Sequence, residues 1–237
     1  MAEELGTKIV GYAKKKKGVI VRRKGRPKKQ EAQCWDLPEE ALARAGSKTS
    51  WMYFEDQKAA GKAGANDFGK KEYDYVWGEP VEIGSAIPGD IVQFRAQKQE
   101  FEFNYDFTVG KKEESFNCSG DIRDQTRGPQ HSAIVTKRYA NGWLEVLEQH
   151  VTRAAPAKSK VVGYGEIFLK PGTFQMVENG TISGRWARRL KRRMSSRECR
   201  KLVDKIAKKY SGPVRVRIRA KVKTSGITIV YRPQPNR

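Results

Sequence analysis

Two extended runs flank the dipeptide Asn141-Gly142, which favours the tight turn of a β-hairpin. If this dipeptide forms a two-residue loop, Val135 lies opposite Glu148 on the neighbouring strand. His131 then shares its face of the sheet with Glu148 and His150, because side chains alternate between the two faces along a strand. The turn signal therefore predicts an antiparallel strand pair with three ionisable side chains on one face.

Other segments predict helices and a further strand. Residues 101–107 alternate aromatic with polar side chains, which is the pattern of a half-buried strand. Residues 3–17 have helical periodicity, and a second helix is predicted from Cys34 to a stop at Gly46. Together these segments favour an α+β fold in which helices pack against an antiparallel sheet.

Cys34 and His131 are candidates for a nucleophile and its general base. A thiol needs a base to become a thiolate near neutral pH, and the base works best when another polar group fixes its tautomer. On the predicted register His150 is the better orienting group, and Glu148 is the second choice. The N-terminus of the following helix would stabilise a thiolate, although Pro38 should loosen its first turn. The alternative is that Cys34 is an inert core residue.

The net charge of +21 is concentrated in two segments. Residues 185–237 contain 19 basic and 2 acidic residues, a net charge of +17, and residues 14–29 contain 10 basic residues and no acidic one. This segregation predicts a polyanionic partner, either DNA or RNA, with an anionic cell-wall polymer or membrane surface as the alternatives.

The first basic segment contains Lys24-Gly25-Arg26-Pro27-Lys28-Lys29, which resembles an AT-hook. In such a motif arginine enters the narrow, strongly negative minor groove of A·T-rich DNA. The candidate contacts are Lys24, Arg26, Lys28 and Lys29. The alternative is a solvated basic loop.

The second basic segment predicts a folded αββ module. Ser195 and Glu198 form a capping box for a helix, and residues 214–223 and 227–231 predict a hairpin that turns at Thr-Ser-Gly. Many phosphates could be neutralised by this module. Its candidate polyanion-binding residues are Arg188, Arg189, Arg192, Arg193, Arg215, Arg217, Arg219, Lys221 and Lys223.

The length of 237 residues allows one good core, or one core with a small appendage. We therefore expect a first domain over residues 1–180, which includes the basic loop 14–30. A basic helix-hairpin module should follow over residues 185–237.

Three cysteines are too few for a disulfide framework, so Cys34, Cys118 and Cys199 are predicted to be free thiols in a reducing compartment. No apolar run is long enough to cross a membrane, and the first residues do not resemble a signal peptide. We expect a cytoplasmic protein. The alternatives are delivery to a cell wall by lysis or non-classical export, and a nuclear location in a eukaryote. No segment predicts a cofactor or a metal site.

Four motifs occur in the order found in the CHAP and NlpC-type branch of the papain-like cysteine hydrolases. They are Gln33-Cys34-Trp35-Asp36-Leu37, Pro88-Gly89-Asp90-Ile91-Val92-Gln93-Phe94, His131-Ser132-Ala133-Ile134-Val135 and Glu148-Gln149-His150. The chain resembles this family over about residues 5–170. It departs from the family in the long stretch between Phe94 and His131, which could form a lid or a specificity wall.

The resemblance implies that Cys34 is the nucleophile and His131 the general base. The family's Glu-x-Asn falls on Glu148 and His150, with histidine in place of the usual asparagine. It also implies cleavage of amide bonds in peptidoglycan peptides or other small peptides. We therefore expect a cysteine-dependent amide hydrolase that its basic segments dock on a polyanion. The alternative is a non-enzymatic DNA- or RNA-binding protein on a papain-like scaffold.

Overall fold

The structure, a computed structural model, describes residues 2–24, 32–64, 68, 75–110, 112–139, 143–149, 161–168 and 171–236. The helices among these residues are α1 (Ala2–Lys15), α2 (Asp36–Ala45), α3 (Ser50–Ala59), α4 (Gly184–Lys191) and α5 (Arg197–Lys209). The strands are β1 (Glu79–Val81), β2 (Ile91–Val109), β3 (Glu114–Arg138), β4 (Trp143–Glu148), β5 (Gly163–Phe168), β6 (Gly172–Ile182) and β7 (Gly212–Arg232). A turn of 3-10 helix, Ile83–Ser85, precedes β2.

The fold is mixed α+β with a mostly antiparallel sheet, which confirms the predicted class at this level. The strands pair in the order β1-β7-β2-β3-β4-β5, and β6 pairs with β7. None of the described helices is long and apolar enough to cross a membrane.

The chain forms two compact units, and β2, β3 and β7 contribute residues to both. Unit 1 contains Met1–Lys98, Thr126–Leu169 and Ser225–Arg237, and unit 2 contains Gln99–Gln125 and Lys170–Thr224. The predicted boundary at residues 180–185 does not coincide with this division. The reason is that the end of β7 packs in unit 1, whereas the middle of the β2–β3 segment packs with α4 and α5.

In unit 1 the two faces of the sheet bury different apolar clusters. The helices α1 and α2 bury residues such as Ile9 and Leu37 together with Ile134 of β3. Val135, the next residue of β3, belongs to a second cluster with Phe94 and neighbouring strand residues. Successive side chains of a strand point to opposite faces, so both faces of this sheet are covered.

Cys34 lies in the turn that leads into α2. The helix begins at Asp36 and ends at Gly46, which has a φ of 76° and the left-handed conformation that glycine adopts readily. Pro38 is therefore a first-turn residue, where a missing N–H is not needed for an intrahelical bond. The predicted loosening at Pro38 assumed a helix that begins at Cys34, and it does not apply here.

The strands β3 and β4 form the predicted hairpin, but in a different register. Ala133 lies opposite Glu148, whereas a two-residue loop would place Val135 there. The pairing shifts just after Val135, as at a β-bulge, and the N–H of Tyr139 donates to the carbonyl oxygen of Trp143. Three residues therefore lie between the last paired residues, and these three lie outside the described part of the chain.

The long stretch between Phe94 and His131 forms most of the strands β2 and β3, whose middle part belongs to unit 2. Its predicted alternation is confirmed, because Phe101, Phe103, Tyr105 and Phe107 are all buried. The Tyr105 hydroxyl donates to Asp121 at 3.0 Å. Asp121 also accepts the backbone N–H groups of Ser195 and Ser196 at 2.8 and 2.7 Å, which holds the start of α5 against the sheet.

The hairpin predicted for the C-terminal module is wrong. A single strand, β7, runs for 21 residues through the predicted turn. The whole of β6 pairs with the first half of β7, residues 212–222. Gly226 has a φ of 85°, and a Cβ there would lie 2.5 Å from the carbonyl oxygen of Ala96. The glycine therefore serves a close approach between two backbones rather than a reversal of the chain.

The prediction of three free thiols is also wrong, because Cys118 of β3 and Cys199 of α5 form a disulfide within unit 2. Cys34 is the one free cysteine of the chain. The cysteine count therefore no longer supports a reducing compartment. The N-cap of α5 is Ser196, one residue after the predicted Ser195, and its hydroxyl accepts the N–H of Cys199.

Candidate active site

The structure brings Cys34, His131 and Glu148 of unit 1 together. Oε2 of Glu148 lies 3.0 Å from Nε2 of His131, and the Cys34 side chain lies close enough to the imidazole to raise its pKa. The Cys34 sulfur also lies 3.8 Å from the carbonyl oxygen of Gln130. His131 is 5% exposed and Glu148 1% exposed, whereas Cys34 is partly exposed. Cys34 is therefore the most exposed of these three residues.

Glu148 contacts His131 because of the observed strand register. Since Ala133 lies opposite Glu148, His131 is the diagonal neighbour of Glu148 on the same face. His150, the group ranked first from the sequence, lies outside the described residues. With Nε2 engaged by Glu148, Nδ1 is the ring nitrogen left for Cys34.

Neighbouring groups affect the pKa of His131 more strongly than burial does. Burial alone lowers the pKa of His131, but the hydrogen bonds and charges of Cys34 and Glu148 raise that pKa to about 9. The imidazolium is therefore the favoured form of His131 at neutral pH. A buried cation is tolerated at this position because a carboxylate lies beside it.

Arg127 holds Glu148 from a second direction. Its Nε donates to Oε2 of Glu148 at 2.9 Å and its Nη2 to Oε1 at 3.2 Å, and both side chains are 1% exposed. The guanidinium also donates to Gln97 and to the carbonyl oxygen of Glu166. Burial raises the pKa of Glu148, but the charge of Arg127 and then the bond to His131 lower it to about 2. Glu148 is therefore ionised throughout the neutral range.

Gln149 ties the loop before Cys34 to the end of β4. Its Oε1 accepts the N–H of Val21 at 2.7 Å, and its Nε2 donates to the carbonyl oxygens of Val21 and Gln33 at 3.0 and 2.9 Å. Gln149 is fully buried, so these bonds are shielded from water. Because Gln33 directly precedes Cys34, this amide positions the backbone that carries the thiol.

Phe94 and Gly165 shape the space around the buried charges. The Phe94 ring lies 6.0 Å from the His131 ring and 4.9 Å from the Arg127 guanidinium carbon. A Cβ at Gly165 of β5 would lie 1.8 Å from Oε1 of Glu148. The absence of a side chain at Gly165 is therefore what leaves room for the carboxylate.

Gly165→Ala is expected to push Glu148 away from its two partners. Overpacking of this kind costs about 1–3 kcal/mol, so the urea midpoint of unfolding should fall. Alkylation of Cys34 should slow as well, because His131 loses its carboxylate. Gly163→Ala on the same strand is the matched control, since a Cβ there would meet no atom within 4 Å. Indistinguishable behaviour of the two variants would contradict the packing argument.

An aromatic cluster lies next to Cys34. The ring of Trp35 stacks on that of Tyr75 with centroids 5.7 Å apart. The guanidinium carbon of Arg23 lies 5.3 Å from the Trp35 ring centroid and 4.8 Å from that of Trp51. The residue that follows Cys34 therefore belongs to a cluster of aromatic rings and one cation.

The predicted polyanion-binding residues lie on different surfaces. In unit 2 the helices cover one face of the sheet, so Arg188, Arg189, Arg192 and Arg193 lie on the helical side. The cations of β7, which are Arg215, Arg217, Arg219, Lys221 and Lys223, alternate with buried residues and point to the opposite face. Lys24 is described, and its N–H donates to Glu40. Arg26, Lys28 and Lys29 lie outside the described residues.

Several of these cations are already paired. Glu178 of β6 forms ion pairs with both Arg189 and Arg193. Across the sheet, Arg219 pairs with Asp106 at 3.1 Å, and Lys223 lies 3.5 Å from Glu100. These four side chains therefore offer less free charge to a partner than their number suggests.

Three contributors to the site were not predicted as such, namely Arg127, Gln149 and Gly165. For Arg127 a signal was available, because it precedes His131 by four residues in an extended run and period two places both on one face. For Gln149, the period of two predicts only that its side chain points away from the face of His131. Its clamping role, and the role of Gly165, depend on which backbone segments pack beside β4.

No family model, no curated protein and no solved structure matches this chain. Among the described residues, no group of three or more His, Cys, Asp or Glu side chains could hold a metal ion. The interpretation of the site therefore depends on its own geometry.

Proposed function

We propose that the protein is a cysteine-dependent hydrolase in which Cys34 is the nucleophile, His131 the general base and Glu148 the orienting group. Within that class, it is a papain-like amidohydrolase of the CHAP or NlpC type, which cleaves amide bonds in peptidoglycan peptides or other small peptides. The observation that carries the proposal is the placement of three groups in series: the partly exposed residue Cys34, the imidazole of His131 that it influences, and an ionised Glu148 hydrogen-bonded to that imidazole.

In the first half of the reaction the sulfur of Cys34 attacks the carbonyl carbon of the amide. The thiol proton has already passed to Nδ1 of His131 in the resting ion pair, so the attacking group is the thiolate and the imidazolium is held by Glu148. When the tetrahedral intermediate collapses, the carbon–nitrogen bond breaks and His131 returns the proton to the leaving amine. The product is a thioester between Cys34 and the acyl part of the substrate.

In the second half a water molecule attacks the thioester, and His131 accepts a proton from that water. The carbon–sulfur bond then breaks and the carboxylic acid leaves, which restores the Cys34 thiolate beside the imidazolium of His131. Glu148 stays ionised throughout, because Arg127 and the imidazolium both stabilise its charge. The function of Glu148 is to orient the ring and to stabilise its protonated form.

The surroundings of Cys34 support the papain-like assignment. The thiol lies before a helix that packs on an antiparallel sheet, and the chain order is cysteine, histidine, orienting group. Two features are particular to this chain: the arginine that braces the orienting carboxylate, and the long strands that also build unit 2.

The proposal is tested with peptidoglycan fragments and a panel of short peptides, whose products are identified by mass spectrometry. The wild-type protein should release a new amine and a new carboxylic acid, and a short incubation should trap an acyl adduct on Cys34. Cys34→Ala should lose both signals and keep the same thermal stability. Hydrolysis that survives in Cys34→Ala would overturn the assignment of the nucleophile.

The second candidate function is binding of a polyanion, either as the docking step of the enzyme or as the sole activity of the protein. The net charge of +17 over residues 185–237 favours it. The two possibilities differ in the chemistry of Cys34: a protein that only binds should have a thiol of ordinary reactivity that does not respond to substitution of His131.

A further inference from the structure

The outward face of α4 and α5 is densely positive. Residues 184–209 contain twelve basic and two acidic residues, a net charge of +10. The apolar side chains of the two helices, such as Trp186, Leu190, Val203 and Ile206, are buried in unit 2. The basic side chains therefore point away from the core of that unit.

A row of cations runs along α5. Arg197, Lys201, Lys205 and Lys209 are all exposed and follow one another at intervals of four residues, which places them on one side of the helix. At a rise of 1.5 Å per residue the row is about 18 Å long. Like charges at this spacing destabilise an isolated helix, and a bound polyanion would remove that repulsion. A surface groove on this helix is lined by Lys201, Asp204, Lys205, Lys208 and Lys209.

The helical row differs from the basic face of β7. Exposed acids of β2 lie beside the β7 cations and form ion pairs with two of them, so that face has mixed charge. On α5, in contrast, Lys201, Lys205 and Lys208 have no ion pair with any described residue. These three lysines are therefore the cations of α5 that the described residues leave uncompensated, whereas Lys209 of the row lies 3.8 Å from Glu114.

We propose that the outer face of α5, together with that of α4, binds the phosphate backbone of double-stranded nucleic acid. A row of about 18 Å would face roughly five phosphates of one strand, since they recur every 3.4 Å along the axis. The inference deepens the docking part of the proposed function and does not depend on the chemistry of Cys34.

Two observations favour a duplex over other polyanions. The large apolar side chains that are exposed in the described part of the chain lie outside α4 and α5, so these helices have no anchor to insert into a lipid surface. Trp186 is buried, and Tyr210 packs on Phe116 with ring centroids 5.5 Å apart. Neither ring is placed to stack on an unpaired base, as single-strand binding requires.

The experiment compares two triple variants of the full chain that remove the same charge from opposite faces of unit 2. Lys201→Gln/Lys205→Gln/Lys208→Gln removes the three lysines of α5 that have no ion pair with a described residue. Arg215→Gln/Arg217→Gln/Lys221→Gln neutralises the strand face and is the matched control. Binding of a short fluorescent duplex DNA is followed by anisotropy between 50 and 200 mM salt.

We expect the helical variant to bind at least tenfold more weakly, with the slope of log K against log salt reduced by about 3, because each lost phosphate contact removes about 0.9 from the slope. The strand variant should bind within about twofold of wild type. The proposal would be overturned if both variants lost the same affinity for DNA, or if the strand variant lost more. It would also be overturned if the wild type showed no salt-dependent DNA binding. Stronger binding to phosphatidylserine vesicles than to DNA would also overturn it.

Thermal melting identifies a variant that fails to fold, and in that case the single substitutions Lys201→Gln and Arg217→Gln replace the triple ones. The alkylation rate of Cys34 is measured on the same samples and should be unchanged. Loss of DNA binding with intact thiol reactivity, or the reverse, therefore separates failure of this inference from failure of the hydrolase proposal.

Discussion

His131→Ala is expected to slow the alkylation of Cys34 by iodoacetamide by up to about 100-fold at pH 6.5. In the proposed site the imidazolium of His131 stabilises the thiolate of Cys34. An ordinary thiol without such a partner is only about 1% ionised at this pH. Because Cys118 and Cys199 form a disulfide, Cys34 is the thiol that reacts in the unreduced protein. Equal rates in the two proteins would indicate an inert cysteine.

The pH dependence provides an independent check. Because the pKa of His131 is raised to about 9, the imidazolium should persist at neutral pH and be lost as the pH rises through about 9. The imidazolium should stabilise the folded protein fully below about pH 6.5, the ordinary pKa of histidine. This stabilisation should decline as the pH rises from about 6.5 to about 9. The Cε1 proton of His131 should titrate with a midpoint near 9 by NMR, and His150→Gln identifies the other histidine signal. Cys34→Ala should lower the midpoint, whereas a midpoint near 6.5 in both proteins would contradict the coupling.

Arg127→Met is expected to destabilise the protein by about 3–5 kcal/mol, the usual cost of leaving a buried charge without its partner. Glu148 is 1% exposed, so water cannot replace the two hydrogen bonds that Arg127 donates. The loss is measured from the urea dependence of tryptophan fluorescence. Arg127→Lys should recover only part of it, because an ammonium cannot reproduce the bidentate geometry.

The control for this prediction is Arg219→Met, which breaks an ion pair of the same type on an exposed strand surface. The Arg219 side chain is 53% exposed, so its removal should cost no more than about 1 kcal/mol. The double variant Arg127→Met/Glu148→Gln should regain part of the stability that the single variant loses, because residue 148 is then neutral and His131, without a carboxylate beside it, can be buried as the neutral imidazole. A cost for Arg127→Met as small as that for Arg219→Met would refute the buried ion pair.

Patterns within a single element predicted much of the fold. The alternation over residues 101–107 identified a strand whose aromatic face is buried, and glycine correctly marked the end of α2 at Gly46. Where two segments had to be combined, local signals failed. The Thr-Ser-Gly sequence before Ile227 is typical of a turn, yet it lies within β7, because Gly226 is needed for contact with Ala96.

The same division holds for the candidate site. Cys34 and His131 could be selected from the sequence because thiol–imidazole chemistry requires those residue types in that chain order. The register that places Glu148 next to the ring could not be predicted, because one bulge and one extra loop residue shift it by two positions.

Local sequence was sufficient to assign the direction of each side chain along a strand or helix, since backbone periodicity depends on neighbouring residues alone. Long-range packing established the rest: the bracing of Glu148 by Arg127, the space above Gly165, and the pairing of Cys118 with Cys199 across 81 residues. Such contacts follow from the close packing of segments distant in the chain, where a shift of one or two residues in register exchanges one set of partners for another.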